Sequence, residues 1–225
     1  MLAERLAEAA VEELHSRSAS AQARFIEVQE HGQTLIGTLV TGRLVGPLRA
    51  ALATVAEADA PIAVTPTYSV AYPNTFKAFF DAISAWDVEA VADMPVLLAA
   101  PGATARHALM LDPGLRPVFT RLHANVLPTA VFPELGDWVS ASPTLSGRGD
   151  RAVGELAGGR CSASQRLTSL RLRRSGRRVV LPALCCRVSE RPDRCPGQLP
   201  LLTVLVGQSV LRASGASAIG EQTQL

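Results

Sequence analysis

Leu2, Leu6, Ala10 and Leu14 recur at helical spacing while Glu4, Glu8 and Glu12 fall on another face, so residues 2 to 15 predict an amphipathic helix. Arg24 to Gln29 carries the β-formers Phe25, Ile26 and Val28 and predicts a short strand. After Pro47, the positions Leu48, Ala51, Leu52, Val55 and Ala56 follow the i, i+3, i+4, i+7, i+8 pattern of a helix running to about Glu57. Ile62 to Thr65 reads as a strand buried on both faces, ended by Pro66, which has no donor for the ladder. Phe76, Phe79, Phe80 and Ile83 then form an apolar stripe on a helix that follows Pro73.

The alternation continues. Pro95 to Ala100 predicts a second buried strand, followed by the loop Pro101 to Thr104 and a helical stretch broken at Pro113-Gly114. Leu115 to His123 forms a helix with Leu115, Val118, Phe119 and Leu122 inward, and Val126 to Phe132 is a strand interrupted by Pro128. Asp150 to Ala157 opens a closing helix. Strands that alternate with helices of this length define βαβ units, so the fold class is α/β with a doubly wound parallel sheet in three layers.

Composition changes this picture at Ala157. Residues 1 to 157 hold every aromatic residue, all four histidines and the sole lysine, Lys77, and carry a net charge of −6. Residues 158 to 225 hold eleven arginines against Glu190, Asp193 and Glu221, a net of +8. They are rich in Arg, Ser, Pro and Cys and show no sustained period, which predicts a poorly ordered tail behind a domain of residues 1 to 157. Cys161, Cys185, Cys186 and Cys195 lie there without the spacing of a zinc site or a disulfide framework, so no metal is expected. The acidic N-terminus is unlike a signal peptide, and the apolar run Leu199 to Leu211 is interrupted by Gln208 and too short to span a bilayer. A cytoplasmic protein without a membrane partner is the expectation.

Candidate chemistry concentrates between Asp59 and Asp81, where an apolar strand enters a Thr-Pro-Thr-Tyr-Ser loop and leaves through a helix. Open α/β sheets present ligand loops in this way, at the carboxyl ends of strands. Tyr68 and Tyr72 could cover a flat ring and Ser69 could offer a polar contact, although a βα loop whose Pro and Tyr merely pack reads the same way.

The residues Thr65, Pro66, Tyr68, Tyr72, Phe76, Lys77, Phe79, Phe80 and Asp81 resemble the flavin loop and following helix of the NADPH-dependent FMN reductases, which are flavodoxin-like. Asn74-Thr75 stands where that family usually has Gly before the apolar pair. A second block is similar at Gly102, Arg106, His107, Ala108, Leu109, Leu111, Asp112, Leu115, Arg116, Pro117 and Phe119, with Ala103 in place of a second Gly and Pro101 in place of Thr. The resemblance implies hydride transfer from NADPH to FMN, supply of reduced flavin to a partner two-component monooxygenase, and assembly as a homo-oligomer. It implies cofactor contacts from Pro66, Thr67, Tyr68, Ser69, Tyr72, Pro101, Gly102, Ala103, Thr104 and Arg106. No catalytic side chain is expected, because hydride passes directly between nicotinamide and flavin. His107 is then structural, and Lys77 and Asp81 at i and i+4 pair on one helix face.

Flavodoxin-like proteins hold the FMN phosphate between the first strand and the first helix. This chain opens inside that helix, so the expected domain lacks its first, central strand and the phosphate loop. Val179-Val180-Leu181 and Leu201 to Val206 are tail runs that could fill the gap, but the tail is read as poorly ordered. Two alternatives follow: an impaired member of the family with weak FMN binding, and a nucleic-acid-binding protein acting through the basic run Arg171 to Arg178.

Overall fold

The structure, a computed structural model, describes residues 2–68, 71–134, 137, 147–158 and 201–207. In chain order the main elements are α1 (Leu2–Ser16), β1 (Gln22–Glu27), α2 (Gly32–Thr41), α3 (Gly46–Ala56), β2 (Ala60–Val64), α4 (Asn74–Trp86), β3 (Pro95–Ala99), α5 (Arg116–Arg121), β4 (Asn125–Val126), a helix α6 at residues 147–158, and β5 (Leu201–Val206). The five strands form one sheet in the order β1-β5-β2-β3-β4, and every pairing is parallel.

The doubly wound sheet matches the sequence-based expectation, but its centre does not. Leu201–Val206, from the segment read as a poorly ordered tail, lies between β1 and β2. Its register runs from Leu201 opposite Gln22 to Val206 opposite Glu27 on one side, and from Leu202 opposite Ala60 to Val206 opposite Val64 on the other. The sheet therefore does not lack a central strand. The physical reason is local: LLTVLV is a strand sequence whatever surrounds it, and a slot with unpaired backbone groups on both sides pairs with it. The other tail candidate, Val179-Val180-Leu181, lies outside the described residues, as do all four cysteines.

Two apolar layers sandwich the sheet. On one face Leu2, Leu6, Ala10 and Leu14 of α1 and Ala152, Val153 and Leu156 of α6 pack on Ile62, Val64, Leu97, Ala99, Leu202, Val204 and Val206. On the other, Leu35 of α2, Leu48, Leu52 and Val55 of α3, and the phenylalanines of α4 pack on Ile26, Ala63, Val96, Leu98 and Leu205. The strand period of two thus sends alternate β5 residues into opposite layers. Thr203, fully buried between them, donates its hydroxyl to the Thr54 carbonyl at 3.2 Å.

Helix α2 has no counterpart in the hydrophobic pattern, because its Gly32, Gly37 and three threonines depress helix propensity. Packing of Leu35 and Thr38 overrides that, and Gly42 closes the helix in the left-handed region (φ 69°) with its N–H on the Thr38 carbonyl at 2.8 Å. The break expected at Pro113-Gly114 is a change of winding: a 3-10 stretch at Ala105–Met110, a π turn at Leu111–Leu115, then α5. Arg116 anchors this segment to the end of β4, pairing with Asp112 at 2.9 Å and donating to the carbonyls of Leu127 at 3.0 Å and Pro128 at 3.4 Å.

Candidate functional site

Because all strands point the same way, the segments leaving β5, β2 and β3 emerge side by side along the carboxyl edge. Backbone hydrogen bonds continue the ladder past the strands and hold these segments in a row. Gly207 N–H donates to Val64 C=O at 2.8 Å, Thr65 N–H to Ala99 C=O at 3.0 Å, and Thr67 N–H to Pro101 C=O at 3.3 Å. Beyond β3, Ala100 N–H donates to Val131 C=O at 2.9 Å and Gly102 N–H to Pro133 C=O at 3.1 Å. The two loops that carry the sequence motifs are thereby fixed against each other by their main chains, independently of their side chains.

The first loop divides into a buried and an exposed part. Thr65, Pro66 and Thr67 are buried, and Tyr68 is 48% exposed. Tyr68 and Ala71 exchange two backbone hydrogen bonds of 2.7 and 2.8 Å, which pins the tip of the loop. Ser69 lies outside the described residues. Tyr72 turns inward, its ring 6.3 Å from that of Phe76 at 61°. From there Phe76 and Phe80 (5.0 Å) and Phe80 and Phe119 (4.6 Å) extend an edge-to-face chain into the core. The two tyrosines expected to cover a ring are thus unlike: Tyr68 stands at the surface, whereas Tyr72 is half buried and braces α4.

The Oγ1 of Thr67 is a buried polar atom without a hydrogen-bond partner among the described residues. Leaving a buried hydroxyl unmatched costs about 1–3 kcal/mol, so such an atom beside a candidate ligand loop is a natural place for a ligand acceptor or donor.

The second loop owes its path to one glycine. A Cβ on Gly102 would lie 2.6 Å from the Phe132 ring and 2.8 Å from the Cβ of His107, closer than side-chain atoms approach. Pro101 and Gly102 are half buried, while Ala103, Thr104 and Arg106 are exposed. Ala103 N–H donates to Nδ1 of His107 at 3.2 Å, and His107 N–H donates to Thr104 C=O at 2.9 Å. His107 therefore folds the loop back on itself. Lys77 and Asp81 pair at 2.5 Å on the exposed face of α4, as expected.

Gly207 adjoins the candidate site and is not among the residues that the sequence motifs point to. A Cβ there would meet Oγ1 of Thr65 at 2.6 Å and the Phe76 ring at 2.9 Å, so the β5 exit passes directly over the root of the first loop. Its signal in the sequence is a Gly directly after the strand-like run LLTVLV, masked by the composition of the tail around it. Among the described residues no group of three or more His, Cys, Asp or Glu side chains could hold a metal ion, and no single helix is long and apolar enough to cross a membrane.

With β5 in the central position, the order β1-β5-β2-β3-β4 is the 2-1-3-4-5 arrangement of the flavodoxin-like fold, distinct from the Rossmann order. Residues 1–135 match the model of the NADPH-dependent FMN reductase family, and the chain belongs to that family. It is 38% identical over 133 residues to an FMN reductase (NADPH) of Pseudomonas aeruginosa, covering 59% of this chain and 69% of that one. It is 37% identical over 117 residues to the NADH-dependent FMN reductase SfnF of Pseudomonas fluorescens, covering 52% and 61%. Among solved structures, an oxidoreductase from Corynebacterium diphtheriae superposes with a TM-score of 0.65 at 30% identity, over 71% of this chain and 86% of that one. The apo form of an NADH:FMN oxidoreductase superposes with a TM-score of 0.55 at 28% identity, over 70% and 80%.

Proposed function

We propose that the chain is a flavin reductase that passes hydride from NADPH to FMN, with the isoalloxazine ring held between the loops at residues 66–72 and 101–106. The observation that carries this is the unmatched Thr67 hydroxyl, buried where the two loops are tied together by the Thr67–Pro101 hydrogen bond. A flavin edge supplies a partner for it. Exposed Tyr68 offers a flat apolar surface beside it, and the close path of Gly102 lets backbone approach the ring plane. Bound FMN supplies the hydride acceptor; the chain's own residues orient the ring and leave one face open to nicotinamide. Arg106, exposed in the 3-10 stretch that follows the second loop, is a cation for a phosphate of either cofactor.

NADPH is the proposed donor, although relatives are named for both nicotinamides. The relatives SfnF and SfnE carry names of flavin reductases, and delivery of reduced FMN to a two-component monooxygenase is the proposed use of the product. Homo-oligomerisation is proposed as well, supported by an uncovered stripe on α2: Ile36, Leu39 and Val40, at i, i+3 and i+4, are 63%, 55% and 80% exposed. A contiguous apolar stripe of that kind marks an association surface. The alternative reading, an impaired member of the family with weak FMN binding, rests on the phosphate loop; β5 fills the place of the central strand, and the residues that follow Gly207 lie outside the described ones.

The test is titration of FMN into the full chain, followed by oxidation of NADPH and of NADH with free FMN in excess. Quenching of flavin fluorescence at micromolar protein and turnover faster with NADPH are expected. Absence of both binding and turnover would reject the enzyme.

A further inference from the structure

The segment that follows β4 along the outer edge of β3 changes register part of the way. Pro95 pairs with Asn125 and Val96 with Val126, partners 30 residues apart, whereas Ala99 bridges to Val131 and Gly102 to Glu134, partners 32 apart. The hydrogen bonds locate the two extra residues. Leu127 N–H donates to Val96 C=O at 3.0 Å, and the next carbonyl of that ladder, Leu98 C=O, is taken by Val131 N–H at 2.9 Å rather than by Thr129. Pro128, Thr129 and Ala130 therefore bulge out of the ladder. A shift of two keeps the faces, so Leu127 and Val131 both stay in the layer of α1 and α6. It changes which residue arrives at the second loop: in the unbulged register Ala130 would stand where Phe132 lies against Gly102.

A bulge has to satisfy the backbone groups it takes out of the ladder. Here the Pro128–Thr129 peptide is held at both ends. Arg116 donates to its carbonyl oxygen at 3.4 Å, and Oε2 of Glu155 accepts its N–H at 3.0 Å while Oε1 accepts the Thr129 hydroxyl at 2.7 Å. Glu155 is half-buried on α6, a helix seated on the sheet by Ala152, Val153 and Leu156, so its backbone has a fixed place from which to reach Thr129. Hydrogen bonds to an ionised carboxylate are stronger than those between neutral groups, and two of them converge on this one residue. We infer that Glu155 is a positioning residue for the candidate site. It fixes the bulge at Thr129, and with it the register that sets Phe132 against Gly102 and the Pro133 carbonyl on Gly102 N–H at 3.1 Å. Glu155 lies outside residues 1–135, which match the family model, and it acts on the second loop through Thr129 and the outer segment. Its effect on flavin rests on the proposed seating of the ring against residues 101–106; its hold on the loop does not.

Amide exchange followed residue by residue in the full chain, without flavin, tests the hold on the loop. Glu155→Ala should speed exchange at Ala100, Gly102 and Val131 about tenfold while β2 keeps its native rate. FMN affinity of the same variant should fall about tenfold, with KM for FMN rising alongside and kcat changing by no more than about twofold. Glu155→Gln keeps an acceptor oxygen and should recover most of both effects. Thr129→Val loses the hydroxyl bond alone, should lie between Glu155→Ala and the native chain, and takes over the test if Glu155→Ala does not fold. Native exchange at Gly102 in these variants would overturn the inference, as would equal acceleration in β2, which would make Glu155 a general stabiliser. Faster exchange at Gly102 with FMN affinity unchanged would strip Glu155 of its role in the site. A native chain that binds no FMN would remove the flavin reading, and exchange at Gly102 would still decide whether Glu155 positions the loop.

Discussion

Strands β2 and β5 are neighbours of nearly equal length, both buried on both faces, and they come from opposite kinds of sequence. β2 lies in a stretch where every flanking segment repeats the message: a helix before it, a proline after it, a phenylalanine stripe beyond. β5 is an equally apolar run next to a stretch crowded with arginine and cysteine. The difference teaches that average composition over a window describes the window's solubility and says little about a six-residue strand inside it. What a strand needs is a pattern of its own length and an open edge to pair with.

The comparison breaks most sharply if the two strands are not equally needed. Ile62→Asp in β2 and Val204→Asp in β5, both at fully buried positions of the same layer, should each leave an unpaired charge in the core and each abolish the cooperative thermal transition. A normal melt for the β5 variant alone would mean that β5 is dispensable. A smaller effect is expected at the two exits. Gly102→Ala and Gly207→Ala each force neighbours aside, at a cost of about 1–3 kcal/mol in chemical denaturation. Equal losses would place the β5 exit on the same footing as the loop that the family motif identifies.

Binding sharpens the contrast further. Thr67→Val keeps the shape and removes the unmatched hydroxyl, so FMN affinity should fall about tenfold, the worth of about 1.4 kcal/mol, while thermal stability holds or rises slightly. Loss of stability without loss of FMN affinity would reassign Thr67 to packing. The least effect is expected at Lys77→Ala, whose exposed pair with Asp81 should change stability by no more than about 0.5 kcal/mol and leave FMN binding alone.

Much of the site could be read before the fold was known. Thr65 to Tyr72 and Pro101 to Arg106 follow two buried strands, and parallel pairing of those strands places both loops on one edge. The sequence could not say that Tyr72 turns in toward Phe76 while Tyr68 stays exposed, since both are tyrosines in the same loop and their difference is set by what packs behind them. Nor could it say that Gly102 is needed because Phe132, thirty residues on, crosses it. Helix α2 was missed for a related reason: its glycines and threonines speak against a helix, and burial of Leu35 and Thr38 speaks for one only after the core has formed.

Local pattern by itself determined α1, α3, α4, β2 and β3, the doubly wound class, and the family motif, because each depends on residues a few positions apart. Only the tertiary structure decided which strand stands at the centre of the sheet. Strand pairing is a contact between segments far apart in sequence, and the periodicity of LLTVLV states a willingness to pair without naming the partner. The slot between β1 and β2, unpaired on two sides and apolar on two faces, supplied the name.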